Sequence, residues 1–441
     1  MRVALISSEF AGLPGSGGIG TYFDHLSRGL VAAGADVEVF TAGKDGDLPE
    51  IPGLRFHHLG DPSPPFFSVV AGEAFRDRHR EQSFDVLECG ELKAEGEWAA
   101  RWARDVAFVV RLHSPSVILN RYLDFPLTRW NYLKKIFFQI TAAIGAKRRG
   151  LPLRPILLEP FAFSWNQGAD LEESRMAGLA DLVLVMNEEM KKFATGHWVI
   201  KSEAIKILPN PYIPQKNRIN SEPLNNKTKT IGFIGRLEPR KGIVELAQAL
   251  SQVLPQFSDW NVKIAGSSAT SCLSGSDAGK KAQNILARFG SRVEFQGRVN
   301  PDKVEDWFAS VGLCVFPSIW ETFSYVTLEA AQAGKAIIGT RTGAVPVILD
   351  EGRAGIIVPP GDVNALANAL SKLIADDDLR MNLGAAAERR FEDRFNPERV
   401  MGEILEAYRE AIERANRRAS LVYLNHSRAE RDRVPKAPPQ G

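Results

Sequence analysis

The sequence predicts an α/β protein built from two successive parallel-sheet units, and three observations carry that reading. A chain of 441 residues exceeds what one core organises and fits two domains of roughly 200 residues each. Each half alternates short β-rich runs with helix-length segments, the pattern of strands joined by crossover helices. Between the halves stands ILPNPYIPQKNRINSEPLNNKTK, residues 207–229, whose four prolines and several Asn and Lys residues are loop chemistry and mark a hinge.

In the first half VALIS (3–7), DVEVF (36–40), LRFHHL (54–59), FDVLE (84–88), AFVVRLH (107–113), PILLE (155–159) and LVLVM (182–186) read as strands. From Thr21 to Ala33 the spacing puts Phe23, Leu26, Leu30 and Ala33 on one helical face, and Gly34 stops the helix. The second half restarts with TIGFIGR (230–236) and continues with NVKIAG (261–266), RVEFQG (292–297), LCVFPS (313–318), KAIIGT (335–340) and AGIIVPP (354–360). Helices are expected from Lys241, from about Ser324, and over Asp362–Arg390 with a break near Asp376-Asp377-Asp378. Asn396-Pro397 opens a last helix to about Arg414. The predicted boundaries are a first domain over 1–208, a linker over 209–229, a second domain over 230–390, a crossing helix over 391–415 and a disordered basic tail over 416–441.

With 44% hydrophobic and 24% charged residues the composition is that of a globular enzyme, and a net charge of +2 gives no field suited to nucleic acid. Cys89, Cys272 and Cys314 are odd in number and far apart, so neither a disulfide framework nor a zinc site is expected; a reducing cytoplasm is. MRVALIS passes at once into SSEFAG, which does not read as a signal peptide, and no run reaches the ~18 apolar residues of a spanning helix. Charge is uneven, however. Residues 121–154 carry net +7 interleaved with Tyr122, Phe125, Trp130, Tyr132, Phe137 and Phe138. A helix over 129–144 would stripe Trp130, Leu133, Phe137, Ile140 and Ile144, either against the first domain or as an amphipathic element on anionic lipid.

Three motifs point to chemistry. PGSGGIGT (14–21) matches the dinucleotide pattern G-x-G-x-x-G, yet seven residues separate it from the first strand, and no carboxylate tips the second strand to hold a ribose. Both details count against a nicotinamide or flavin site, leaving a glycine loop whose N–H groups approach some other anion or a plain surface loop. FIGRLEPRKG (233–242) places Arg236 and Lys241 five residues apart at the carboxyl edge of a parallel sheet, suited to a diphosphate, or else solvated. PSIWETFSYVTLEAAQAGKAIIGT (317–340) sets Glu321 just before a helix N-terminus whose N–H groups at Phe323, Ser324 and Tyr325 form another phosphate seat. Glu329 follows in its second turn. The only D-x-D triplets, Asp45–Asp47 and Asp376–Asp378, read as turn and cap residues rather than metal ligands.

GRLEPRKG, the E-x7-E pair Glu321 and Glu329, and GIIVPPGD together resemble the retaining glycosyltransferases of GT-B architecture, family 4. The likeness covers essentially residues 1–415 and is strongest over 230–375; SGGIGTYFDHLSRGLVAAGADVEVFT and RLHSP match its N-terminal loop and acceptor-side turn. The resemblance implies two Rossmann-like domains facing a central cleft, with a nucleoside-diphosphate sugar as donor substrate and no further cofactor. It assigns the diphosphate to Arg236 and Lys241, donor-sugar hydroxyls to Glu321 and the ribose to Glu329. Main chain at Phe323, Ser324 and Tyr325 would contact phosphate or sugar, and Gly17 and Gly18 would approach the diphosphate from the other domain. His113 would lie beside sugar and acceptor, and Arg298 and Val299 would flank the base. The acceptor would be a glycan, lipid-linked or small molecule in polysaccharide assembly, at the inner face of the membrane if residues 121–154 touch it. Departures are Ser324 where glycine is frequent, Ala344 and Val347 within TGAVPV, and Pro211 where Asn-Gly is usual. A non-catalytic nucleotide-sugar sensor, or an epimerase or phosphorylase on the same fold, remains as an alternative.

Overall fold

The computed structural model describes residues 1–48, 50–60, 66–122, 165–214, 227–268 and 277–431. The run PILLE, nearly all of the basic segment 121–154, Cys272 and linker residues 215–226 lie outside them.

The first domain carries a seven-stranded parallel sheet in the order β3-β2-β1-β4-β5-β6-β7. Its strands are β1 (Arg2–Ser7), β2 (Asp36–Thr41), β3 (Leu54–His58), β4 (Val86–Gly90), β5 (Ala107–Arg111), β6 (Leu182–Val185) and β7 (Ile205–Ile207). β1, β4, β5 and β6 are buried along their whole length. Covered on both faces, they read as continuous apolar runs rather than alternating ones. β7 escapes the sequence reading because three residues before a proline-rich link leave no periodicity to detect. The second domain carries six parallel strands in the order β10-β9-β8-β11-β12-β13. These are β8 (Thr230–Ile234), β9 (Asn261–Ala265), β10 (Val293–Gly297), β11 (Leu313–Phe316), β12 (Ala336–Thr340) and β13 (Ile356–Val358), all at expected positions.

Each sheet has an apolar core on both faces. In the first domain one core gathers Phe40, Phe75, Phe84 and Phe108. The other gathers Tyr22, Phe23, Leu26 and Leu30 with Val400, Ile404, Tyr408 and Ala411 of the last helix. That helix, Pro397–Arg431, therefore starts beyond the second sheet and completes the core of the first. It also runs past Ala415, where the sequence reading starts a disordered tail. Arg418 explains part of the extension: its guanidinium pairs with Asp181 at 2.7 Å and donates to the carbonyls of Arg104 and Val106. A second correction concerns the glycine loop: its helix is Gly18–Ala32, beginning three residues before Thr21, with Gly17 as N-cap. Asp376 divides Val363–Ala375 from Asp377–Arg394 and caps the second of these through the N–H of Leu379. Asp47 accepts from the N–H of Lys44 in a turn. Both acids are thus bound locally, as turn and cap residues.

The fold is α/β with two Rossmann-like domains whose sheets turn their carboxyl edges toward a shared cleft. Loops on those edges touch: Ser114 Oγ lies 3.5 Å from Thr322 Oγ1, and Asn187 Nδ2 donates to the Thr322 carbonyl at 3.4 Å.

At the opposite side of the first sheet, Glu38 is buried on β2 and ringed by donors. Arg78 reaches it through Nε and Nη2 at 2.9 Å, His57 Nε2 lies at 2.6 Å, and Arg2 and Arg55 complete the cluster. Burial pushes its pKa up, but hydrogen bonds from Arg78, His57 and Arg2 outweigh burial and hold it at about 2. A carboxyl depressed in the folded state contributes stability that is full above the unfolded pKa and lost as pH falls through the folded one. Glu38 should therefore contribute on the order of 3 kcal/mol at neutral pH, fading between pH 5 and about 2. Urea unfolding of Glu38→Gln against the parent checks this: the stability gap should be wide at pH 7 and close toward pH 2–3.

Candidate functional site

In an open parallel sheet, ligands gather beyond the carboxyl ends of the strands where the strand order reverses. Here the reversals fall between β1 and β4 in one sheet and between β8 and β11 in the other. The glycine loop, Glu91 and the His113 turn therefore stand on one side of the cleft. Arg236, Lys241 and the Glu321 loop stand on the other.

On the second domain, Gly235 ends β8 and Pro239–Lys241 forms one turn before the helix Ile243–Val253. Gly242 joins the two at φ +69°, and a Cβ there would lie 1.9 Å from the Pro317 carbonyl oxygen. Only glycine lets this turn press against the loop that follows β11. The close approach sets Lys241 Nζ directly on Glu321 Oε2. Arg240, buried and in contact with Glu238 at 2.8 Å, has Nη1 3.8 Å from Glu321 Oε1. Burial penalises the Glu321 charge, but Lys241 and Arg240 prevail and hold its carboxyl below the ordinary range. Arg236 is 55% exposed, with Glu238 at 3.6 Å, so its guanidinium is held loosely at the cleft.

The departures in TGAVPV prove structurally informative. Gly343, at φ +56°, faces the Glu321 loop so closely that a Cβ would meet the Glu321 carbonyl at 2.1 Å. Ala344 N–H donates to the Thr322 carbonyl and Thr342 Oγ1 accepts from Glu321 N–H. The loop braces Glu321 from behind, and neither Ala344 nor Val347 is needed for that. Ser324 caps the helix Tyr325–Gln332 in the left-handed region, φ +72°, ψ +75°. That conformation explains why glycine suits the position, and the 2.7 Å contact of Ser324 Oγ with Thr327 Oγ1 supports the serine. Tyr325 opens the helix, so the N–H groups of this turn lack intrahelical partners. Phe323 itself is buried in the core. One turn on, burial pushes Glu329 up to about 7. Arg298 and Val299 follow β10; Arg298 is exposed and Val299 packs at the edge of a core cluster.

On the first domain, Gly17 N–H donates to Glu9 Oε2 at 2.9 Å, and Gly18 is exposed with open space before it. The third glycine, Gly20, serves packing: a Cβ would strike Ser16 Oγ and the Phe10 backbone. His113 is buried edge-on to Tyr22, ring centroids 4.5 Å apart, with Nε2 unpartnered. Burial and the neighbouring Arg111 push its pKa well down, so the ring is neutral. A small pocket between β1 and β4 is lined by Ser7, Ser8, Glu9, Gly90, Leu92 and Glu95 among others.

Sequence reasoning missed Arg240, Arg111, Glu91 and Glu173. Arg111 carried a signal, a charge inside the apolar strand AFVVRLH, which marks a paired buried group. Arg240 sits in the same PRKG run as Lys241, but spacing alone does not say which cation turns inward. Glu91 and Glu173 lie 82 positions apart and meet around one loop only in the fold.

Residues 17–211 match the family described as glycosyl transferase 4-like domain, and residues 214–390 match glycosyl transferases group 1. A D-inositol 3-phosphate glycosyltransferase of Corynebacterium jeikeium is 25% identical over 419 residues, 88% of this chain and 91% of the relative. A lipopolysaccharide core biosynthesis mannosyltransferase of Rhizobium leguminosarum is 30% identical over 178 residues, 40% of this chain and 50% of the relative. The fold is shared with sucrose-phosphate synthase from Thermosynechococcus elongatus, at TM-score 0.67 and 21% identity over 93% of this chain and 98% of that one. It is shared as well with Anabaena HepE in complex with UDP-glucose, at TM-score 0.65 and 19% identity over 92% and 99%. The two family matches together take in every strand of both sheets except β1, and the chain belongs to the GT-B glycosyltransferases of the family 4-like, group 1 type.

Proposed function

We propose that this glycosyltransferase moves a hexose from a nucleoside-diphosphate sugar to a glycan, lipid-linked or small-molecule acceptor, with retention of configuration and without a metal ion. The observation that carries the reading is the buried Lys241–Glu321 pair, flanked by Arg240, at the mouth of the helix Tyr325–Gln332. Cleaving a sugar–phosphate bond builds negative charge on the departing diphosphate, and fixed cations with free N–H groups are the means of stabilising it. Lys241 and Arg236 supply the cations, and the turn at Phe323, Ser324 and Tyr325 and the N–H of Gly18 supply free donors; Gly17, whose own N–H is taken by Glu9, lets the loop approach the diphosphate. Glu321, ionised and oriented by Lys241 and Arg240, accepts hydrogen bonds from donor-sugar hydroxyls. Glu329 accepts from the ribose, and Arg298 and Val299 border the base. His113, neutral and with an unpartnered ring nitrogen, would hydrogen-bond the sugar or the acceptor in this reading. With retention, an oxygen of the leaving phosphate takes the acceptor's proton on the same face, so no separate base is required. That HepE is crystallised with UDP-glucose supports a nucleotide-sugar donor here. The basic, aromatic-rich residues 121–154 support an acceptor presented at an anionic membrane surface.

Thermal shifts against UDP-, GDP-, ADP- and TDP-sugars, followed by transfer of the radiolabelled hit, test the proposal; no shift and no transfer with any of them would refute it. Arg236→Ala should lower kcat/KM by roughly 2–5 kcal/mol of transition-state stabilisation while leaving Tm unchanged, because the side chain is half exposed. Lys241→Ala should lose comparable activity and also stability, since it leaves Glu321 buried beside Arg240 alone.

Transfer should survive EDTA; complete loss restored by Mn2+ would overturn metal independence. The raised Glu329 pKa gives a pH test as well. Only the carboxylate accepts from both ribose hydroxyls, so donor KM should fall as pH rises through about 7, and Glu329→Gln should flatten that limb.

A further inference from the structure

The turn that carries His113 is held from below by carboxylates. Glu91, the residue immediately after β4, is fully buried. One of its oxygens accepts from the N–H of His113 at 2.7 Å and the other from the N–H of Ser114. Its own N–H donates back to the Arg111 carbonyl at 3.2 Å, closing a reciprocal link between the ends of β4 and β5. Two residues further on, Glu173 of the helix Trp165–Ala177 repeats the arrangement. It accepts from Ser116 N–H at 2.9 Å and Ser116 Oγ at 2.5 Å, and from Lys93 N–H at 3.4 Å. Three of the first backbone donors after β5 thus end on buried acids. The tip of the turn faces the other domain, with Ser114 Oγ 3.5 Å from Thr322 Oγ1, one residue from Glu321.

A buried carboxylate is costly, and a serine or a carbonyl would satisfy these N–H groups at lower cost. What the carboxylate adds is a two-oxygen grip that fixes two successive peptide planes at once. We propose that Glu91 is a positioning residue for the transfer step, fixing the His113–Ser114 turn so that the His113 ring, its Nε2 unpartnered, keeps one orientation beneath the cleft. The inference rests on the transferase reading given above. Glu91 touches neither donor nor acceptor in that reading and acts through the turn.

Proton occupancy follows from the same packing. Burial, with Glu95 adding to it, pushes Glu91 up to about 7, and burial with Glu91 opposite pushes Glu173 to about 8. The titratable groups facing Glu91 are Glu95 on its own segment, Glu173 from the helix Trp165–Ala177 and Cys89 at the end of β4. Protonating Glu91 turns one acceptor oxygen into a hydroxyl, so the grip weakens as pH falls below about 7.

Full-length Glu91→Gln and Glu91→Asp provide the test. Glu91→Gln keeps one acceptor oxygen and loses the other. It should lower kcat for transfer roughly ten- to a hundredfold with donor KM within twofold, while Glu91→Asp, with both oxygens, should recover part of the loss. A merely structural role would lower Tm without this split between kcat and KM. In the 15N-labelled parent the amide signals of His113 and Ser114 should move together through a titration near pH 7 that is absent in Glu91→Gln. Unchanged kcat in Glu91→Gln, or a loss expressed in donor KM, overturns the proposal. If no sugar nucleotide supports transfer, the functional reading fails, and the displacement of the His113 and Ser114 amide signals between the parent and Glu91→Gln then decides whether Glu91 grips the turn: large shifts at both support the grip and unchanged signals refute it.

Discussion

One buried guanidinium ties this molecule together. Arg111, at the end of β5, has no solvent exposure, and so its charge must be answered from within the protein. Its Nε donates to the Tyr22 hydroxyl at 3.1 Å and Nη1 to the Leu208 carbonyl at 2.9 Å. The Tyr22 hydroxyl in turn donates to Glu88, equally buried on β4, and Glu88 accepts a second bond from Tyr408 of the last helix at 2.6 Å. Arg111 therefore gathers two central strands, the helix behind the glycine loop, the first residue of the interdomain link and the helix that returns from the second domain. None of these polar groups is tolerable in an apolar core alone; bonded to one another they specify one arrangement, although Arg111 Nη2 has no hydrogen-bond partner within it.

That arrangement decides where the cleft lies. Leu208 leads into Asn210 and Pro211, and the Pro211 carbonyl accepts from the Tyr325 hydroxyl on the helix that follows Glu321. The hinge is thus held at one end by Arg111 and at the other by the site's own helix. His25 sits between the halves, edge-on to Tyr212 and tilted against Tyr325, and accepts from the Ile213 N–H. Burial pushes its pKa down to about 4, which keeps it a neutral acceptor at this junction.

The two switch points gather different ionisable groups among the described residues. The second domain brings Arg236, Arg240 and Lys241 to its switch point, with Glu321 and Glu238 as counterions. The first domain brings Glu9, Glu91, Glu95 and Glu173 to its own, satisfied chiefly by backbone N–H and serine hydroxyls. Burial raises the pKa of Glu91, Glu95 and Glu173, so these acids hold loops in place rather than charge the wall of the cleft. The division of labour follows from which sheet edge each loop decorates.

The sequence by itself determined the strands of the second domain and most of the first, because buried parallel strands are written as unbroken apolar runs that need no partner to be recognised. It also determined Arg236 with Lys241 and Glu321 with Glu329 as candidates, since the spacing of each pair along its own strand–turn–helix unit is local. Asp376 as a helix divider was legible for the same reason. The start of the glycine-loop helix at Gly18 was not, because helix formers do not announce it and packing against Phe10 fixes it. Nor was the extension of the last helix, which Arg418 anchors on Asp181, 237 positions away. Only the tertiary structure paired Lys241 with Glu321, put Gly343 behind that pair, and closed Glu91 and Glu173 around the His113 turn. These are contacts between residues tens to hundreds of positions apart. Periodicity reports which face of an element is buried, and does not report which distant charge it will meet there.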